Sequence, residues 1–182
     1  MQKILISACF LSNPVRYDGT AYDIENKVSL EALSIISRWQ EQGRLLAICP
    51  EMSGGLPVPR PAAEIIPTQA MQAKRVQTKR VQTKRVQTKR VQVKTQSGVD
   101  VSNEFIRGAQ SALALCQAEN INLAVLTESS PSCGSSWIYD GQFSRNKISG
   151  EGVTTALLRE YGIKVFSQFE LSAADHYLKS MD

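Results

Sequence analysis

The sequence predicts an α/β domain: a three-layer, Rossmann-like fold around a mostly parallel sheet. Three observations carry this. Short aliphatic runs at Ile4-Leu5-Ile6, Leu45-Leu46-Ala47-Ile48 and Leu123-Ala124-Val125-Leu126 have the length and content of strands buried on both faces. Segments of helical period separate them, and strand–helix alternation is the pattern of α/β folds. The 182 residues, 42% of them hydrophobic, suit one globular domain with a sizeable core.

Taken in order, residues 3–9 predict the first strand, and Ser12-Asn13-Pro14 with Tyr17-Asp18-Gly19 predicts a long loop over 10–25. Val28, Leu30, Leu33, Ile35-Ile36 and Trp39 form an apolar stripe, so 28–42 is predicted helical, ending at Gly43. Residues 44–49 are the second strand. Gly54-Gly55 and the prolines at 57, 59 and 61 forbid a regular element over 52–61, which reads as a stiff loop. Ser102 is expected to cap a helix over 103–119. Phe105, Ala109, Ala112 and Cys116 share one face of it, which makes Cys116 a core residue. A third strand over 121–127, a glycine-bearing loop between Tyr139 and Gly152, a helix over 153–161 and a strand at Lys164–Ser167 follow. A single domain over 1–170 is expected, with a helical tail over 171–182 whose helix runs from Leu171 to Lys179. That tail holds His176, the only histidine, expected to be exposed.

The net charge of +4 misleads, because nine of the 21 basic residues lie between Lys74 and Lys94, where Lys-Arg-Val-Gln recurs every five residues with no acid. The other twelve face seventeen acidic residues, so the body of the chain is mildly acidic. Five residues advance a helix by about 140° and reverse the face of a strand, so the valines line no single side. Residues 71–97 therefore read as a mobile or weakly extended insertion, with a hairpin as the alternative that its Thr and Val content offers. Clustered Lys/Arg can hold RNA, but no aromatics interleave to stack on bases, and a tolerated tandem duplication is the favoured reading. No run reaches the roughly 18 apolar residues of a membrane span. Ile6-Ser7-Ala8-Cys9 looks like a lipoprotein processing site, but the eight residues before Cys9 are too few for a signal peptide. A cytoplasmic, monomeric or weakly dimeric protein with reduced thiols is expected.

The chemistry gathers at three cysteines, each just beyond an aliphatic run: Cys9, Cys49 and Cys133. In parallel sheets ligands sit outside the carboxyl ends of the strands, so three thiols distant in sequence would converge there. No Cys-x-x-Cys occurs, and neither zinc nor a Ser-His-Asp triad finds its histidine near them. Cys133 at a turn before Gly134 is a candidate nucleophile if a cation or helix N-terminus activates it. Three thiolates also suit a cubane iron–sulfur cluster, leaving one iron open as a Lewis acid.

Several motifs stand in order: Ser7-Ala8-Cys9 with Arg16-Tyr17-Asp18-Gly19, Cys49-Pro50-Glu51, Gly54-Gly55-Leu56-Pro57 with Pro59-Arg60-Pro61, Ser130-Pro131-Ser132-Cys133-Gly134, Ile138-Tyr139-Asp140-Gly141 and Gly152-Val153-Thr154. Together they resemble the thiouracil desulfidase family over nearly the whole chain outside the repeat and tail. The resemblance implies a 4Fe-4S cluster on Cys9, Cys49 and Cys133 with one iron open, and non-redox conversion of a thiolated uracil, as base or nucleotide, to uracil and sulfide. It puts Glu51 and Ser130 near the reaction centre, with Glu51 the expected base for water and Ser130 the expected contact to the ring. Their bland alternatives are a salt bridge from Glu51 to Arg60 or Arg16, and a turn cap at Ser130. Arg16, Arg60 and Arg145 are the candidates for a substrate phosphate. Thr127 departs from the family, where a lysine is common.

Overall fold

The computed structural model describes residues 1–67 and 91–181. The chain begins with β1 (Ile4–Ser7), a 3-10 turn (Ala8–Leu11), α1 (Ile24–Lys27), α2 (Leu30–Glu41), β2 (Leu45–Ile48) and the one-turn α3 (Pro50–Ser53). An antiparallel ribbon of β3 (Ala63–Ile66) and β4 (Gln92–Thr95) precedes α4 (Ser102–Ala118) and β5 (Leu123–Leu126). A second ribbon, β6 (Trp137–Tyr139) with β7 (Lys147–Ser149), leads to α5 (Val153–Glu160), β8 (Lys164–Ser167) and α6 (Leu171–Lys179).

The central sheet is parallel, in the order β2-β1-β5-β8. From β1 the chain first adds β2 on one side, then crosses to add β5 on the other. The β1/β5 boundary is therefore the topological switch point, where a crevice opens at the carboxyl ends. Alternation along the strands sorts the core into two layers. Leu5, Ala124 and Val165 join Phe105, Ala109, Ala112 and Leu158 of α4 and α5 on one face. Ile4, Ile6, Leu123, Val125 and Phe166 join Ile35, Ile36 and Trp39 of α2 and Ala174 and Leu178 of α6 on the other. The three-layer α/β expectation holds.

Three local expectations are corrected. Helix α2 starts at Leu30, not Val28, because the Ser29 hydroxyl accepts the Ala32 N–H at 3.2 Å and Val28 is extended. Leu30, counted in the apolar stripe, is 84% exposed. Ser102 is the first residue of α4 rather than its cap. Asp100 Oδ1 accepts its N–H at 3.0 Å, and its hydroxyl accepts the Val93 N–H at 2.9 Å, tying α4 to β4. Residues 171–179 form the expected helix, and buried Asp175 accepts the Trp39 Nε1–H at 3.0 Å and ion-pairs with Arg38 and Lys179, clamping α6 on α2. The end of the expected insertion, residues 92–95, is strand β4, with Val93 fully buried. The rest of the repeat, and both readings of it, fall on residues 68–90, outside those described.

One close approach fixes the element that carries Glu51. A Cβ on Gly108 would lie 2.0 Å from the Pro50 carbonyl oxygen, so α4 meets α3 backbone to backbone. Gly108→Ala is expected to destabilise the protein by about 1–3 kcal/mol, read as a lowered thermal midpoint.

Candidate active site

Each of the three cysteines lies one to seven residues past the end of a sheet strand, at the crevice the topology creates. After Ser7 the chain turns directly into the 3-10 helix, which places Cys9 beside the end of β5. Its Sγ is 3.3 Å from Thr127 Oγ1. The buried Ser7 hydroxyl accepts the Thr127 N–H at 3.0 Å, knitting the ends of β1 and β5. Cys49 follows β2 and is the N-cap residue of α3, with Pro50 in the first turn, where the missing N–H costs nothing. Its Sγ reaches the Val15 carbonyl at 3.7 Å.

Cys133 sits in the loop from β5 to β6, and the start of α5 shapes that loop. The N–H groups of Gly152, Val153 and Thr154 donate to the carbonyls of Gly134, Pro131 and Ser132 at 2.8, 2.9 and 3.0 Å. Thr155 Oγ1 donates to the Cys133 carbonyl at 2.8 Å. The N–H groups that a helix start leaves unpaired are thus taken up by the loop that carries Cys133. A Cβ on Gly152 would lie 2.3 Å from the Ser132 oxygen. The Gly152-Val153-Thr154 motif is explained as a loop support.

Glu51 and Ser130 meet over this loop. The Ser130 hydroxyl donates to Glu51 Oε1 at 3.3 Å and accepts the N–H groups of Ser132 and Cys133 at 3.0 and 3.1 Å. It therefore caps the turn and touches the carboxylate as well. Arg60 Nε and Nη2 both reach Glu51 Oε2, each at 2.8 Å, so the salt bridge weighed in the sequence is formed. Arg60 is buried and also donates to Val15 and Pro57 carbonyls, so it buttresses Glu51 rather than standing free for a phosphate. Arg16 differs: its Nε is buried with no hydrogen-bond partner among the described residues, and Asp18 Oδ1 is 3.9 Å away.

The three cysteines, Glu51, Ser130, Arg60 and Arg16 line one cavity of about 680 Å³, walled also by Tyr139, Phe143 and exposed Arg145 from the β6–β7 ribbon. Buried Glu64 of β3 accepts the Phe143 N–H at 3.0 Å and holds that wall. Cys116 lies apart in the core, where burial pushes its thiol up to about 11, and His176 is exposed on α6. Sequence reasoning missed Ser7, Thr127 and Glu128 as parts of the site. Ser7 and Thr127 end adjacent strands, and only the sheet order reveals that they touch.

The donor set fits an iron–sulfur cluster. All four cysteines are free thiols. Burial raises the pKa of Cys9, Cys49 and Cys133, and each of the first two, when charged, raises Cys133 further. A cationic guest offsets these effects and favours the thiolate forms. Among the described residues no three such side chains stand close enough to share a single metal ion. A cluster instead takes one thiolate per iron, and soft sulfur ligands favour it. A lone Cys133 nucleophile fares worse: its thiol is raised by burial, and the adjacent helix start is spent on carbonyls.

Residues 4–170 match a family model described as 2-thiouracil desulfurase. The protein YbbK of Bacillus subtilis (strain 168) is 35% identical over 169 residues, which are 93% of this chain and 97% of that one. A solved structure titled as a 4Fe-4S-dependent thiouracil desulfidase, TudS, is 43% identical with a TM-score of 0.78, covering 99% of each chain.

Proposed function

This chain belongs to the 2-thiouracil desulfurase family, and we propose that it hydrolyses a thiolated uracil to uracil and sulfide at a 4Fe-4S cluster held by Cys9, Cys49 and Cys133. The observation that carries the reading is the gathering of three free thiols, Cys133 buried and Cys9 and Cys49 partly so, beside Glu51 and Ser130 in one cavity at the switch point. When bound, the cluster supplies an iron without a protein ligand, a Lewis acid suited to a thiocarbonyl sulfur.

The chain's own residues do the rest. Arg60 takes Glu51 Oε2 and leaves Oε1 turned to Ser130 and the cavity. That oxygen orients a water and accepts its proton as oxygen replaces sulfur on the ring carbon. Ser130, anchored by two backbone N–H groups, holds its hydroxyl beside the same point and donates to Glu51 or to the ring. Overall, one water enters and hydrogen sulfide leaves, with no change in oxidation state.

Arg16 supports a nucleotide as the substrate, because its buried Nε has no hydrogen-bond partner among the described residues and the side chain lines the same cavity. Arg16→Ala is expected to raise KM for thio-uridine monophosphate about tenfold or more, the worth of a charged hydrogen bond, and to leave KM for thiouracil unchanged. Equal effects on both would remove the phosphate assignment. Reduced free thiols suit the cytoplasm, and no helix among the described residues is long and apolar enough to cross a membrane.

The deciding experiment is purification without oxygen. About four irons per chain, brown visible absorbance and release of uracil with sulfide from thiouracil are expected. A colourless, iron-free protein after anaerobic reconstitution that leaves thiouracil intact would refute the proposal.

A further inference from the structure

The loop from β5 to β6 must keep a defined shape without a regular element inside it, and a carboxylate sits at its centre. Glu128 Oε1 accepts the N–H groups of Ser129, Ser135, Ser136 and Trp137 at 3.2, 2.8, 3.1 and 3.0 Å. Its Oε2 accepts the Ser135 hydroxyl at 2.7 Å. Successive N–H groups converging on one oxygen form an anion-binding nest. Here the loop supplies its own anion. Burial opposes the charge, but the bonds from Ser135, Trp137, Ser136 and Ser129 outweigh it and hold the carboxyl below its ordinary range. Ser129, next to it, adopts φ 65°, a left-handed conformation uncommon for serine.

Glu128 also reaches the segment that bears Cys9. Its N–H donates to Gln168 Oε1 at 2.7 Å, Gln168 Nε2 donates to the Tyr22 hydroxyl at 3.4 Å, and the Tyr22 N–H donates to the Cys9 carbonyl at 2.9 Å. Gln168 and Tyr22 are 3% and 8% exposed, so this polar chain runs through the interior. It joins the segment that bears Cys133 to the one that bears Cys9.

We infer that Glu128 is a positioning residue: its carboxylate fills the backbone nest of the loop and so sets where Ser130 and Cys133 stand relative to Cys9. Its effect on turnover rests on the desulfurase reading; its effect on the loop does not. The test compares Glu128→Gln and Glu128→Ala in the full chain, both cluster-free and reconstituted. In the cluster-free protein, amide exchange at residues 135–137 should speed up roughly ten- to a hundredfold. Alkylation of Cys133 by iodoacetamide should accelerate with it, while the amides of β5 and β8 stay protected. In the reconstituted protein, kcat for thiouracil should fall about tenfold or more with little change in KM. Added formate, an anion that fits the emptied nest, should restore slow exchange and turnover to Glu128→Ala. It should not rescue Glu128→Gln, whose amide still fills the space. Wild-type exchange at 135–137 in both variants would overturn the inference. So would loss of protection throughout the chain without response to formate. A protein that never acted on thiouracil would defeat the proposed reaction and leave the exchange and alkylation results to be judged alone.

Discussion

Cys133→Ser is expected to give a folded, colourless protein with no measurable desulfuration. The fold should survive because the loop around residue 133 is held by groups the substitution leaves alone. The Cys133 N–H goes to Ser130, its carbonyl to Thr155, and its neighbours to the start of α5. The cluster should not survive, because a serine hydroxyl replaces one of three thiolates with a harder, far less acidic ligand. Cys9→Ser and Cys49→Ser should behave alike, since each removes one sulfur from the same cavity. Cys116→Ser is the control. It buries a hydroxyl in the core and should lower stability by about 1–3 kcal/mol while keeping iron and turnover. Iron per chain, visible absorbance and the thermal midpoint separate the two cases. Full iron and turnover in Cys133→Ser would remove that residue from the ligand set.

Much of this site can be read without coordinates, because the strands that carry it are uninterrupted aliphatic runs buried on both faces. Lys164–Ser167 and Leu171–Lys179 have their expected boundaries, since a glycine or polar turn flanks each. The strands of the two ribbons escape notice for different reasons. Val93 has an alternating strand pattern around it, but Gln92-Val93-Lys94-Thr95 is the end of a five-residue repeat that masks a period of two. The β6–β7 strands are three residues each, and only Ile138 among them is fully buried, so no pattern has room to emerge. Convergence of Cys49 with Cys9 and Cys133 depends on sheet order, a property of packing rather than of any local window. Glu128 escapes for the opposite reason. A lone acid among serines looks like a solvated loop charge, and its worth comes from backbone N–H groups up to nine residues away.

Glu51→Gln should retain the cluster and lose turnover by about 10²–10⁴, the usual worth of a positioned base. Glutamine keeps the shape, and its carbonyl can still accept from Arg60, so the cavity should keep its form. A second effect needs separating from the first. The Arg60 side chain is 5% exposed and that of Glu51 15%, so the variant leaves a buried cation without its counter-ion. Removing one partner of such a pair costs about 3–5 kcal/mol at full burial, and less here because the Val15 and Pro57 carbonyls remain. The double variant Glu51→Gln/Arg60→Met resolves the ambiguity, because it removes the stranded charge without restoring a base. If Glu51 is the base, the pair of changes regains stability and stays inactive. If Glu51 serves only to neutralise Arg60, activity returns with stability, and the proton acceptor must be sought elsewhere on the cavity wall.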